Sequence, residues 1–346
     1  MTNLLKNSTF LLGQLTSKAL RIRNSSTYKA AVIRGTSNSF SVEEVARTKL
    51  GDNQVRIQVH YCSLNSNDLP TFHENGKGSP FTPGYEIGGE VIELGKNVTK
   101  NQIILGEKVA ALNLERMGGF AEECVTNVED MFRLPSNLPL KDAAILISGH
   151  SLALLAFSKM TKIKKDDYVV ISAGSGGLGL AAVDIAANVY GAKVIGVVDS
   201  SDKADLLRDR GAFKTVQPDS KLQQQVLKAA EKKNIKVVYD AVGSSLTEPL
   251  ANCVSSGGQI FLAGSHLYES IPTPPFNTNL AVLDLIAIKN HDLEAYRCLV
   301  NDVLDLADQG LISAHVSASF ALGDINKAIE FIQEKKCTGK VLIRTL

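Results

Sequence analysis

The chain has 346 residues, too many for one comfortable hydrophobic core, so two domains of ordinary size are expected. With 44% hydrophobic residues, 21% charged residues and a formal net charge of +1, it reads as globular, with no charge excess to recruit nucleic acid. Ala143 to Ser158, a strongly apolar uncharged stretch, falls short of the roughly 20 apolar residues of a membrane span, and five scattered cysteines without C-x-x-C spacing suggest neither a disulfide framework nor a zinc cluster.

Before Glu43 there is no acid, while Lys6, Lys18, Arg21, Arg23, Lys29 and Arg34 are all basic. Phe10, Leu11, Leu12, Leu15 and Leu20 can share one helical face bordered by Lys18 and Arg21, the cationic amphipathic form of a mitochondrial transit peptide. Residues 1–26 are therefore expected to direct the protein to the mitochondrial matrix, the other reading being a basic tail. The core fold is expected to start near Tyr28.

In "VRIQVHY" (55–61), Val55, Ile57, Val59 and Tyr61 alternate with Arg56, Gln58 and His60, the pattern of a strand with one buried face. His60 is then expected on the solvated side. Further short runs ("YKAAVI", "IGGEVIEL", "EKVAAL") punctuated by Gly, Pro, Asn and Asp predict a β-rich, barrel-like unit over 27–152. After Leu152, the apolar runs "YVVIS", "KVIGVV", "KVVYD" and "QIFLAG" alternate with helical stretches, which predicts an α/β unit with a doubly wound parallel sheet over 153–289. Residues 290–346 read as helix, short strand, helix and the terminal "GKVLIRTL", expected to return to the first unit.

"YVVISAGSGGLGLAAVDIA" (168–186) carries chemistry. A buried strand runs into Gly174, Gly176 and Gly179, so that backbone N–H groups of Ser175, Gly176, Gly177 and Leu178 can meet a pyrophosphate at a helix N-terminus. Ala181, Ala182, Ala186 and Ala187 let that helix lie close to the sheet. About 20 residues beyond the glycines, an NAD site places a carboxylate for the ribose hydroxyls, whereas an NADP site supplies a cation. The count falls on Val198 with Asp199 next, ambiguous by one residue. With Val198 at the key position, Ser200 and Lys203 are left for a 2′-phosphate, and NADPH is the expected cofactor. Gly243 and Gly264, with Ser265 beside it, follow later strands at the ligand-binding edge.

Together, "TPGYEIGGEVIELG" (82–95), "GGFAEECV" (118–125), "AGSGGLG" (173–179), "YDAVG" (239–243) and "TGKVLI" (338–343) resemble the medium-chain dehydrogenase/reductase superfamily, and within it the zinc-free quinone oxidoreductase branch. The resemblance spans about residues 28–346 and implies a Rossmann cofactor domain joined to a GroES-like barrel. Where zinc-dependent relatives place Cys and His, this chain has Leu64-Asn65 and Tyr85, so no bound metal is expected. The resemblance places Asn65 beside the nicotinamide ribose and Tyr85 where zinc would otherwise sit. It also implies a homodimer joined through edge strands of the cofactor sheet.

Two departures from the family lie near the expected nicotinamide pocket. Pro70 and Phe72-His73 stand where relatives carry a tyrosine, and His150 replaces a second one. His150 is read either as a proton donor titrating near neutrality or as a structural histidine at a helix N-terminus. Lys340 could approach the cleft or be a solvated strand-end lysine. Alcohol oxidation calls for a Lewis acid that these residues do not hold, whereas reduction of a polarised C=C bond or a quinone needs only hydrogen-bond donors and a proton. The expected function is an NADPH-dependent, zinc-independent reductase of quinones or α,β-unsaturated carbonyls, with a non-catalytic NADPH-binding protein as the alternative.

Overall fold

The computed structural model describes residues 26–35, 37, 39–69, 80–172, 177–264, 273–334 and 337–346. The expected leader therefore lies outside the described residues, as do Pro70, Phe72 and His73.

The alternating segment forms the spine of the first sheet. β3 (Gln54–Leu64) follows β1 (Thr27–Val32) and β2 (Ser41–Ala46), which form a two-stranded antiparallel sheet bridged at Ala30 to Ala121. Next come β4 (Glu86–Leu94), β5 (Lys108–Leu112), β6 (Glu123–Asn127) and β7 (Met131–Arg133). Val55, Ile57 and Val59 are fully buried, as the period of two demands. Arg56, expected on the polar face, is buried too, because Glu93 Oε2 lies 2.8 Å from its Nε and Glu123 Oε2 lies 3.8 Å from its Nη1. His60 is only half-exposed rather than solvated. The chain end runs alongside it, with Thr345 N donating to His60 O at 3.2 Å, and burial lowers the imidazole's proton affinity.

The longest run of buried side chains is α1 (Leu140–Leu154), which continues through a π-helical turn to Met160. By length and composition, Leu140–Met160 could cross a membrane, but 78% of its apolar window is buried within the protein, as befits a central core helix. It runs straight through residue 152, where the sequence suggested a change of unit. Bare glycines set its depth: a Cβ on Gly88 of β4 would meet Leu140 O at 2.7 Å, and one on Gly149 would meet Ala181 Cβ at 3.2 Å.

Beyond α1 the βαβ rhythm holds: β8 (Tyr168–Ser172), α2 (Gly177–Asp184), β9 (Lys193–Val197), α3 (Ser201–Asp209), β10 (Lys214–Val216), α4 (Leu222–Ala229), β11 (Ile235–Asp240), α5 (Thr247–Ala251), β12 (Gln259–Ala263) and β13 (Asn279–Leu283). These six strands form a parallel sheet in the order β10-β9-β8-β11-β12-β13. This is the doubly wound order, whose direction reverses between β8 and β11, and ligands bind at the carboxyl edge of that switch point. The mixed α/β architecture expected from sequence is thus the one observed.

The last segment crosses back. After α6 (Leu285–His291) and α7 (Leu293–Asp308), the chain forms β14 (Val316–Ala321), α8 (Ile325–Gln333) and β15 (Lys340–Arg344), and β15 inserts between β14 and β3. Arg210, at the end of α3, ties the connection down by donating to Ser313 O at 3.0 Å and contacting His315 Nδ1 at 3.3 Å.

Candidate active site

Five elements converge where β3 ends, β4 begins and β15 begins. Asn65 opens a short 3-10 turn after β3, and Asp68 closes it by accepting from Asn65 N at 2.8 Å and from Gly84 N at 3.0 Å. Gly84, at φ +94°, turns the chain into Tyr85 and Glu86. Ser148 arrives from the middle of α1 and Gly177 from the start of α2. Lys340 enters from β15, 7% exposed, and its Nζ donates to Asn65 Oδ1 at 2.5 Å, Glu86 Oε2 at 2.8 Å and Ser148 Oγ at 3.3 Å. Its stem lies so near α2 that a Cβ on Gly177 would come within 2.7 Å of Lys340 Cδ.

The electrostatics follow from burial. Glu86 is fully buried, and its second oxygen accepts from Ser148 N at 2.9 Å, so both oxygens have donors. Burial pushes the Asp68 carboxyl up to about 7, against the opposing pull of the Asn65 and Gly84 amides and of Lys340. Burial likewise raises the Tyr85 phenol well above its ordinary range, with Asp68 and Glu86 adding to the effect and a hydrogen bond with Ser148 opposing it.

Of the residues anticipated for chemistry, Asn65 and Tyr85 belong to this cluster. His150 points elsewhere. It lies two residues past Ser148, hence roughly 200° around the helix at 3.6 residues per turn. Its Nδ1 is 3.0 Å from Leu146 O and its Nε2 is 3.4 Å from Asp184 Oδ2 on α2. Nor does it sit at a helix N-terminus, since α1 begins at Leu140. Asp184 also accepts from Ser313 N at 2.9 Å and Asn188 Nδ2 at 2.6 Å, and these bonds with His150 outweigh burial to lower its carboxyl. Lys340 is no solvated strand-end lysine but the hub of the cluster. Glu86, Ser148 and Asp68 were missed as well.

The described members of the anticipated cofactor set, Gly177, Leu178, Ser200, Lys203, Gly243 and Gly264, follow the carboxyl ends of strands of the parallel sheet. Ser175, Gly176 and Ser265 fall outside the described residues, whereas Gly177 and Leu178 form the first turn of α2. Gly243 and Gly264 adopt φ +77° and +83°, the left-handed region that glycine enters at no cost. Asp240, fully buried, shapes the loop after β11 by accepting from Ser172 Oγ and Thr247 Oγ1, both at 2.6 Å, and from Gly243 N at 3.0 Å. Ser200 caps α3 by accepting from Lys203 N at 3.4 Å, and Lys203 Nζ is paired with Asp199 Oδ1 at 2.7 Å. The switch-point edge, glycine turns and capped helices suit a dinucleotide. Zinc finds no comparable fit: Asn65 and Tyr85 are poor donors, Glu86 is engaged by Lys340, and no cluster of three metal-ligating side chains occurs among the described residues.

This fold and site define an oxidoreductase architecture. Residues 51–139 match the family described as "Alcohol dehydrogenase GroES-like domain" and residues 177–303 that described as "Zinc-binding dehydrogenase". The chain belongs to the medium-chain dehydrogenase/reductase superfamily. It is 30% identical over 326 residues to quinone oxidoreductase-like protein 2 of Mus musculus, an alignment covering 91% of this chain and 92% of the relative. It is 32% identical over 330 residues to the homologous Nematostella vectensis protein, covering 92% and 89%. Among solved structures, a mycobacterial protein complexed with NADPH superposes with a TM-score of 0.82 at 21% identity, covering 92% of this chain and all of the other.

Proposed function

We propose that this protein is an NADPH-dependent, zinc-independent reductase that transfers a hydride to a quinone or an α,β-unsaturated carbonyl compound. The observation that carries the reading is the buried Asn65–Lys340–Glu86 cluster beside the start of α2; the resemblance puts the metal ligands of zinc-dependent relatives at the positions of Asn65 and Tyr85. The relatives named quinone oxidoreductase-like, and the fold neighbour solved with NADPH, support the same reading.

When bound, NADPH supplies the hydride. The chain's own groups meet the negative charge that the acceptor then develops. Lys340 Nζ can only donate, so the Asn65 atom 2.5 Å from it is the carbonyl oxygen, and Nδ2 is the donor end of that amide. Nδ2 is held only loosely, by Ser63 O at 3.3 Å and by a weak interaction with the Asp68 carboxyl. Burial shifts the Asp68 carboxyl toward its protonated form, so an enolate or hydroquinone oxyanion would be the stronger acceptor for that N–H. The Asn65 N–H then acts as a preorganised donor in a buried site. Gly177 and Leu178 would face the pyrophosphate, with Ser175 and Gly176 completing the turn. Lys203 would exchange its half-exposed partner Asp199 for a 2′-phosphate.

A panel of quinones and enones tests the reading by NADPH oxidation. Asn65→Ala is expected to lower turnover by about 10²-fold while leaving NADPH affinity within a few-fold. Lys203→Ala is expected to weaken NADPH far more than NADH, and equal losses would remove Lys203 from the 2′-phosphate site. The second reading, NADPH binding without turnover, draws on the orientation of His150 toward Asp184, which takes one anticipated proton donor out of the cluster. Tight NADPH binding with no acceptor reduced would favour it.

Two further parts of the reading concern the protein in the cell. Residues 1–26 would direct import to the mitochondrial matrix, checked by whether a fused fluorescent reporter co-purifies with matrix markers. β13, the terminal strand of the cofactor sheet, would pair with its copy in a homodimer, checked by sedimentation.

A further inference from the structure

We propose that Lys340 is a positioning residue: by gripping Asn65 Oδ1 while anchored on Glu86 and Ser148, it fixes which end of the Asn65 amide faces the reacting oxygen. The inference rests on the reductase reading for its catalytic consequence, but the orientation itself is a property of the cofactor-free protein.

An asparagine amide is nearly symmetric in shape, so packing alone does little to choose between its two orientations. Hydrogen bonding decides. Glu86 is buried and acceptor-only, with Oε2 on Lys340 and Oε1 on Ser148 N. Were Lys340 absent, the nearest unsatisfied acceptor would be that carboxylate oxygen, and Asn65 could turn its Nδ2 inward to satisfy it. A carbonyl oxygen would then face the developing oxyanion, replacing attraction with repulsion. With Lys340 present the reverse holds, because an ammonium accepts nothing and fixes Oδ1 inward at 2.5 Å. Glu86 in turn fixes Lys340, whose stem lies close against Gly177. The chain of dependence therefore runs from Glu86 to Lys340 to Asn65, and only Asn65 touches the reacting atoms.

The experiment is a mutant cycle with two readouts. In the cofactor-free protein, the side-chain ¹H–¹⁵N resonances of Asn65, assigned by their loss in Asn65→Ala, are expected to shift in Lys340→Met and to stay near their original positions in Lys340→Arg. Under turnover, Lys340→Met is expected to lower kcat by 10- to 100-fold with the acceptor KM changed less than about threefold, and Lys340→Arg is expected to recover most of it. In an Asn65→Ala background, Lys340→Met should cost almost nothing further, because the group it positions is gone. Since Lys340→Met leaves the Glu86 carboxylate buried and unpaired, the double variant Lys340→Met/Glu86→Gln provides a foldable charge-neutral version of the same test. Unmoved Asn65 resonances in both Met variants would overturn the proposal whatever the activity, and multiplicative kcat losses in the Asn65→Ala background would overturn it too. If the wild-type protein reduces no acceptor, the reductase reading fails, while the resonance shifts still decide the orientation.

Discussion

Gly177→Ala isolates the contact between the cofactor helix and the cleft. Gly177 is not among the glycines at positive φ, and alanine is the better helix former, so the backbone alone would favour the substitution. The added Cβ, however, would meet Lys340 Cδ at 2.7 Å and Cγ at 2.9 Å, well inside van der Waals contact. Retreat is blocked, because Lys340 Nζ is held by Asn65, Glu86 and Ser148 and its backbone is paired within β15. Overpacking of this kind costs about 1–3 kcal/mol. Displacing Nζ would add part of the cost of uncovering a buried carboxylate, itself about 3–5 kcal/mol when complete. A net loss of about 2–4 kcal/mol is therefore expected, read from urea-denaturation midpoints. Lys340→Ala empties the space the new methyl group would enter, so Gly177→Ala made on that background should cost nothing or stabilise slightly. Additive losses in the two backgrounds would refute the steric coupling.

Three other perturbations probe neighbouring interactions. The Asp68 carboxyl, raised to about 7 by burial, penalises the fold wherever it must ionise. There is no penalty below about pH 4, where both states keep the proton; it grows between about pH 4 and 7 and levels off above that, reaching on the order of 4 kcal/mol. Asp68→Asn should flatten that part of the stability–pH curve, and an unchanged slope would count against it. Lys289 is 7% side-chain exposed and bridges Asp130 at 2.9 Å, Glu115 at 3.0 Å and Glu129 at 3.4 Å. Lys289→Met should cost about 3–5 kcal/mol in urea denaturation, with recovery in the Asp130→Asn double variant. His150→Phe should lower stability by about 1–3 kcal/mol through the Asp184 bond yet leave kcat per folded molecule unchanged; a lost limb in the pH–rate profile would restore His150 to the chemistry.

How much of this was legible depended on the range of the interaction concerned. "YVVIS" maps onto β8 residue for residue, because a strand buried on both faces is a continuous apolar run bounded by turn signals. β10, only three residues long, and β13, an edge strand with its central residues partly exposed, carry too little pattern to read. The start of α1 was also obscure. A helix buried on nearly every side has no polar stripe, so His150 looked like the first turn of a helix that had begun ten residues earlier. The largest omission was Lys340. Nothing near it in sequence says that it is buried, since its partners Asn65 and Glu86 lie 275 and 254 positions away and meet it only because β15 inserts beside β3.

That insertion sets an order of events during synthesis. The six strands of the parallel sheet are complete by Leu283, whereas the first sheet stays split between β3 and β14 until residues 340–344 have been made. A nascent chain can therefore own a finished nucleotide platform before it owns a working pocket, with the Glu86 carboxylate waiting for its counter-ion. A product cut short before Lys340 would lack both the sheet-closing strand and the cation, and would leave that edge of β3 unpaired.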